Sequence, residues 1–459
     1  MRSWRLVVLA VAVLLACPVS QAPGQSGSRP GAPAGPVLRL GALLPLSGPG
    51  AWFGAEIKQG LELAVAELDP APERAPTPAG GDTAESPAAP AGASKPVPES
   101  APPARPRTGE SGKPEATKAK SRPPAEPIEP PDRPRTLTLV VQALDVQPLD
   151  LRATADETSQ LLGTGVTAIV TASPTPALTA YPLAAARDVL VLHAGLATDR
   201  FPATSRTLLH LRPSAAARAD VLGAHAWARG LRRVAVAVGG DDFGRALRAA
   251  FAARWRQQGG QLTREESVSL DAADLRARLR RLARTAPEAV VLGFQGAALG
   301  EVARTLREAG YAGLVLGADD DRAALLAGGR ALDGALILSD AFVPLPGSRG
   351  ARFARSYEAR HGEAPSRFAA TAYETATLLA EAAQRALRGG RGLTGSRLRD
   401  ALVSEGPFPS LYAGELVVRE DGTVARPLAL FRVDGDRLAF ETYVGVDGRA
   451  LGGTRESTP

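Results

Sequence analysis

Polar side chains that could contact a small molecule recur where predicted strands end: Ser173 and Thr175, His193 with Gly195 and Thr198, Gln295, and Asp319. Hydroxyls both donate and accept hydrogen bonds, a carboxylate attracts a cation, and imidazole changes charge near neutrality. Two aromatic-glycine pairs, Phe53-Gly54 and Phe243-Gly244, add flat apolar surface. None of these groups has the spacing of a reaction centre. The first helix is not opened by G-x-G-x-x-G, and the chain has no G-x-x-x-x-G-K-[ST], H-E-x-x-H, C-x-x-C or G-x-S-x-G. His193, His210, His225 and His361 lack metal-ligand spacing. Every lysine lies at or before Lys120, which excludes a phosphate-loop or Schiff-base lysine beyond that point. Catalysis requires a converging nucleophile, base and oxyanion donors. The residues point instead to binding, with no cofactor, no metal and no enzymatic activity. Each also has a structural use: Ser173 and Thr175 as helix caps, His193 as a satisfied strand-end group, Phe53 and Phe243 as packing under loops. Asp319 to Asp321 suit a helix cap or a cation as well.

The elements that hold these residues alternate. Leu38 to Leu44 is an apolar run of strand length, stopped by Pro45 and followed by Ser47-Gly48-Pro49-Gly50. Apolar residues then fall on one helical face at Ile57, Leu61, Ala64, Val65 and Leu68. After residue 136, strands are predicted at Leu137–Ala143, Val166–Val170 and Val189–Leu192, with helices at Asp150–Leu162 and Ala177–Arg187 between them. A second set follows a crossover near Leu208–Pro213, with strands at Val234–Val238, Ala289–Gly293, Gly313–Leu316 and Leu336–Leu338. Long helices are expected at Arg349–His361 and Arg367–Leu387. Asp421-Gly422 and Asp434-Gly435 are hairpin signals. The alternation predicts an α/β fold of two Rossmann-like lobes with parallel sheets. Loops after parallel strands face the ligand in such folds.

The run LGALLPLSGPGAWFGAEIKQGLELAV resembles the opening of type I periplasmic binding proteins, the branched-chain-amino-acid and amide receptors of ABC importers. Two consecutive α/β sets, an aromatic-glycine pair in each, and a terminal G-x-L-x-V…DG…L-x-L-F-x-V segment extend the resemblance over roughly residues 37–68 and 136–445. It implies two lobes joined by a multi-strand hinge: 37–69, 136–211 and 340–409 in lobe 1, and 212–339 and 410–447 in lobe 2. Residues 448–459 are expected to form a flexible tail. It further implies a small amino-acid-like or amide ligand between the lobes. Ser173 to Thr175 and His193 to Thr198 would hold its carboxylate, Phe53 and Phe243 would wall the cleft, and Asp319 would meet its ammonium group. Where the amino-acid receptors carry T-P-A-A-T-like sequence, this chain reads His193-Ala194-Gly195-Leu196-Ala197, with Thr198 displaced by one. The implied partner is an ABC permease. Envelope lipoproteins that activate penicillin-binding proteins share this fold and opening, so regulation of peptidoglycan synthesis is the alternative.

The 459 residues are 44% hydrophobic and carry a formal charge of +6, spread among arginines and acids, which indicates solubility and no nucleic-acid footprint. Residues 1–17 read as an export signal: Arg2 and Arg5, an apolar Leu6–Leu15, then the sole cysteine, Cys17, in a lipobox-like context. Lipidation of Cys17 would tether the chain in the cell envelope, with 18–36 as a flexible linker. Residues 70–135 hold 18 prolines and neither an aromatic residue nor a leucine, so a disordered insertion is expected between first helix and second strand.

Overall fold

The computed structural model describes residues 36–68, 138–196, 201, 205–318, 322–388 and 392–452. Cys17, the export signal, the linker, the Pro-rich insertion, Thr198, Asp319 and residues 453–459 lie outside these.

β1 (Val37–Leu44) is buried almost end to end, since both faces of its sheet are covered; hence its near-continuous apolar sequence. Pro45 ends it, and a short turn at Gly48–Gly50 leads into α1 (Ala51–Leu68). Gly54 lets helix and strand end close together: a Cβ there would lie 2.0 Å from the Pro45 carbonyl oxygen. β2 (Thr138–Asp145), α2 (Leu151–Gly163), β3 (Ala168–Thr171), α3 (Pro174–Ala185), β4 (Leu190–His193) and β5 (Leu208–His210) complete a parallel sheet in the order β2-β1-β3-β4-β5. Leu44 pairs with Asp145, so the Pro-rich insertion separates two strands that lie side by side.

The second lobe repeats this winding. It runs α4 (Ala215–Ala228), β6 (Arg233–Val238), α5 (Asp242–Gln257), β7 (Gln261–Ser267), α6 (Leu275–Ala283), β8 (Ala289–Gly293), α7 (Ala297–Glu308), β9 (Leu314–Gly317), α8 (Arg322–Gly328) and β10 (Leu336–Ser339). Its strands lie in the equivalent order, β7-β6-β8-β9-β10. The chain then returns through α9 (Arg349–His361), α10 (Arg367–Arg388), α11 (Gly395–Ser404) and the short strands β11 (Phe408–Pro409), β12 (Glu415–Val418) and β13 (Val424–Ala425). β14 (Leu428–Asp434), β15 (Arg437–Val444) and β16 (Ala450–Leu451) extend the second sheet antiparallel from β10. The turn at Asp434-Gly435 joins β14 to β15, as its residue types predict.

Each sheet is covered on both faces. In the first lobe α1, α10 and α11 pack Ile57, Leu61, Leu379 and Leu402 on Leu40, Val170 and Leu192, while α2 and α3 cover Leu43, Ile169 and Val191. α10 is alanine-rich, and this permits close contact: a Cβ on Gly60 of α1 would stand 2.3 Å from the Ala369 oxygen. In the second lobe Trp255, Phe251 and Leu222 cover one face, and Leu279, Val302 and Leu306 the other.

Three features depart from the sequence reading, one being that Ala450–Leu451, expected in a flexible tail, pairs with β15 as β16. β7 was not foreseen, because Gln261–Ser267 is polar; it is an edge strand, half-exposed along most of its length. Leu416, Val418 and Val424 belong to the first lobe's core, so the last crossing between lobes falls at 426–427, after the short hairpin, and not at 409–410.

Candidate functional site

In sheets wound this way the ligand-facing loops flank the point where strand order reverses, between β1 and β3 in one lobe and β6 and β8 in the other. On the first lobe's rim the loop after β1 is pinned by Asp145. Its Oδ1 accepts the Leu46 N–H at 2.7 Å and its Oδ2 accepts the Ser47 hydroxyl at 2.5 Å. Gln147 Nε2 donates to the Ser47 carbonyl at 3.1 Å. The loop is thereby preorganised by charge-assisted hydrogen bonds. Of the two rings on it, Phe53 is 6% exposed and packed in the core against Phe368, whereas Trp52 is 60% exposed. The free aromatic surface of this rim is Trp52.

Ser173 stands at the N-terminus of α3, in capping position, but its hydroxyl caps nothing: Oγ is buried and has no hydrogen-bond partner among the described residues. Pro174 and Pro176 carry no N–H, and the Ala177 N–H goes to the Ser173 carbonyl, so Thr175 supplies the remaining donor of that first turn. Thr175 is half-buried and its carbonyl accepts from Thr179.

His193 is wholly buried. Its Nε2 lies 2.6 Å from the Leu196 carbonyl, so Nε2 carries the proton, and Nδ1 accepts from the Thr171 hydroxyl at 3.0 Å. Burial, with the Arg212 charge nearby, pulls its pKa down to about 4. It stacks on His210, whose pKa burial and the neighbouring His193 and Arg212 bring to about 3. Both rings are neutral at pH 7, and His193 positions the loop 194–196 from beneath. Gly195 is required for that loop. A Cβ would meet the Ala172 oxygen at 1.8 Å. Gly195→Ala should therefore cost about 2–3 kcal/mol, read as a lowered denaturant midpoint. A loss below about 0.5 kcal/mol, the ordinary surface value, would show that the loop is free to shift.

Between the lobes lies a group of charges that sequence reasoning missed. Asp340, directly after β10, is completely buried. Its Oδ2 accepts from Arg212 Nε at 2.6 Å, and its Oδ1 pairs with Arg218 at 3.0 Å and Arg367 at 2.9 Å. Arg212 also donates to the Gly195 carbonyl at 2.9 Å, and Arg218 to the Ala318 carbonyl at 3.1 Å. One carboxylate thus ties the loop after β4 in the first lobe to the loop after β9 in the second. Burial would raise the Asp340 pKa; Arg212, Arg218, Arg367 and Arg426 together outweigh it and hold the carboxyl well below its usual range. At the third crossing, buried Arg426 bonds Glu374 at 2.8 Å and stacks on Tyr412. The available signal was an ionisable residue beside an apolar strand end or a proline in each crossing: Arg212-Pro213, Ser339-Asp340 and Arg426-Pro427.

On the second lobe's rim, Asp241 caps α5 through the Gly244 N–H at 2.7 Å, and Phe243 is half-buried against the α4–α5 core. Gln295 is exposed at the end of β8. Ser173, Gly195 and His193 thus gather around neighbouring strand ends of one lobe, and Phe243 and Gln295 around those of the other.

A family profile described as periplasmic binding protein matches residues 149–437. No curated protein matches the sequence. Among solved structures, a putative branched-chain amino acid ABC transporter protein from Rhodospirillum rubrum superposes with a TM-score of 0.62 at 18% identity, covering 88% of this chain and 99% of the other. A leucine binding protein from Thermotoga maritima gives 0.55 at 16% identity, covering 90% and 100%. A solute binding protein from R. palustris in complex with benzoate gives 0.52 at 15%, covering 91% and 98%. The repeated winding, the three crossings and the profile match agree: the chain belongs to the type I periplasmic binding protein family.

Proposed function

We propose that this chain is an extracytoplasmic solute receptor of an ABC importer, closing its two lobes on a small amino-acid-like, amide or other carboxylate-bearing ligand. The observation that carries this reading is the convergence of the β4 and β9 loops on Asp340, which sets two ligand-facing rims against one hinge. Ser173 Oγ, buried and without a partner at a helix N-terminus, is assigned to the ligand's oxyanion. Trp52 and Phe243 are assigned to its apolar body, and Gln295 to a polar contact. Asp319, as the partner of a ligand ammonium group, and Thr198, as a contact to its carboxylate, enter on sequence alone. Lipidation at Cys17 and docking to a permease belong to the same proposal.

The test is thermal unfolding against leucine, isoleucine, benzoate, simple amides and peptidoglycan fragments. A true ligand at 100 times its Kd adds about 2.7 kcal/mol, a shift of several degrees that grows with concentration. Ser173→Ala should weaken that ligand about tenfold while leaving the unliganded melting temperature within about 1 °C. An unchanged affinity would remove Ser173 from the site.

One observation favours a second reading, an envelope regulator of peptidoglycan synthesis. Pro174 and Pro176 strip two donors from the α3 turn, which leaves a poor cradle for a free amino acid's carboxylate. In that case no small solute would shift the melting temperature, and binding to an envelope synthase would be found instead.

A further inference from the structure

A cavity of about 360 Å³ lies away from the rims, between α4, the distal half of α5 and the short β12–β13 hairpin. α5 begins at the carboxyl end of β6 and runs back along the lobe, so Arg254, three residues from its end, is far along the helix from the ligand-facing loops. The cavity is lined on one side by Asp220 and Arg254 of the second lobe, and on the other by Arg419 and Arg426 beyond the first lobe's core strands. Val221 and Leu428 supply part of its apolar wall.

Its charges are not balanced. Among the described residues the half-buried guanidinium of Arg254 makes no hydrogen bond and no ion pair within 4 Å, acting on Asp220 only through its charge, and its Nε is buried without a partner. Arg426 satisfies Glu374 through Nη1, but its Nε and Nη2 are likewise buried and unpartnered. Arg419 reaches Asp220 only at 3.9 Å. Arg426, wholly buried and paired with Glu374, offers nothing to an occupant, so two guanidiniums, Arg254 and Arg419, face one carboxylate, Asp220. Buried donors without acceptors are costly, and guanidinium forks match the oxygens of carboxylate and phosphate groups.

We propose that this cavity is a second binding site, for a small free oxyanion of the phosphate or dicarboxylate class, held by Arg254 and Arg419. Its two walls belong to different lobes, so an occupant would bridge them beside the crossings and bias their relative position. The site is independent of the solute reading, since none of its residues lies on the ligand-facing rims.

The experiment is isothermal titration and thermal unfolding of the full chain with sodium phosphate, and separately with succinate, at pH 8 and constant ionic strength balanced with chloride. Saturable binding of at least one of the two is expected, with a rise in melting temperature. Arg254→Gln and Arg419→Gln should each weaken it at least tenfold. Arg245→Gln, at the opposite end of α5 and paired with Asp242, should leave it unchanged. A shift that follows ionic strength alone, or one that persists in both cavity variants, overturns the proposal. So does capture by phosphatidylglycerol vesicles with no response to either free anion, which would assign the arginines to a lipid surface.

Discussion

Asp340→Asn is expected to remove about 3–5 kcal/mol of stability, the cost of leaving buried cations without their shared carboxylate. The substitution keeps the shape and deletes the charge, so Arg212 and Arg218, each 5% exposed, stay buried with like-charged neighbours. For a chain of this size the melting temperature should fall by roughly 5 °C. Arg367→Met should cost far less, because that side chain is 27% exposed and solvent screens its pairing. Urea denaturation of both variants at pH 7.5 decides the matter. If Asp340→Asn costs no more than Arg367→Met, the carboxylate does not organise the crossings. The depressed pKa fixes the pH range of this contribution. Asp340 stabilises fully above the unfolded value near 3.8 and loses that stabilisation only as pH falls below it.

Acid loss above that range should come mainly from the histidine pair, with a contribution from His225, whose pKa burial also lowers. His193 and His210 titrate near 6.5 when unfolded and near about 4 and about 3 when folded. Between those values the unfolded state binds the protons, so stability falls as pH is lowered from 6.5. At pH 5 each histidine should cost about 2 kcal/mol, together about 4 kcal/mol relative to pH 7.5. His210→Leu separates the pair from other groups. The His210 Nε2 has no hydrogen-bond partner to lose, so stability at pH 7.5 should change little while the acid loss is roughly halved. Equal pH profiles for the variant and the parent would show that His210 is not held neutral by the fold. Protonation of folded His193, at about pH 4, would fall on Nδ1 and break its bond from Thr171 while the Nε2–H to Leu196 is kept.

The local sequence determined the elements and their winding. Apolar runs of strand length alternate with 3.6-period helices, and Pro45, Asp421-Gly422 and Asp434-Gly435 punctuate them by backbone chemistry that needs no tertiary partner. The helix at Arg349–His361 falls where its periodicity and Gly362 place it, since Gly362 takes the left-handed cap with φ of 77°. β7 escaped because an edge strand needs little apolar sequence, its ladder being supplied by β6. At the candidate site, residue type alone could not distinguish a solvent-facing group from a buried one. Phe53 and Trp52 are adjacent, yet helical geometry turns one into the core and leaves the other open. His193 and Ser173 both end buried beside strand termini, but Thr171 and the Leu196 carbonyl satisfy the histidine while none of the described residues satisfies the serine. The charges at the crossings are the furthest from sequence. Asp340 meets Arg212 across 128 positions and Arg367 across 27. Only the folding of three crossings into one place determines that these ions meet around a buried carboxylate, where their attraction outweighs the cost of its burial.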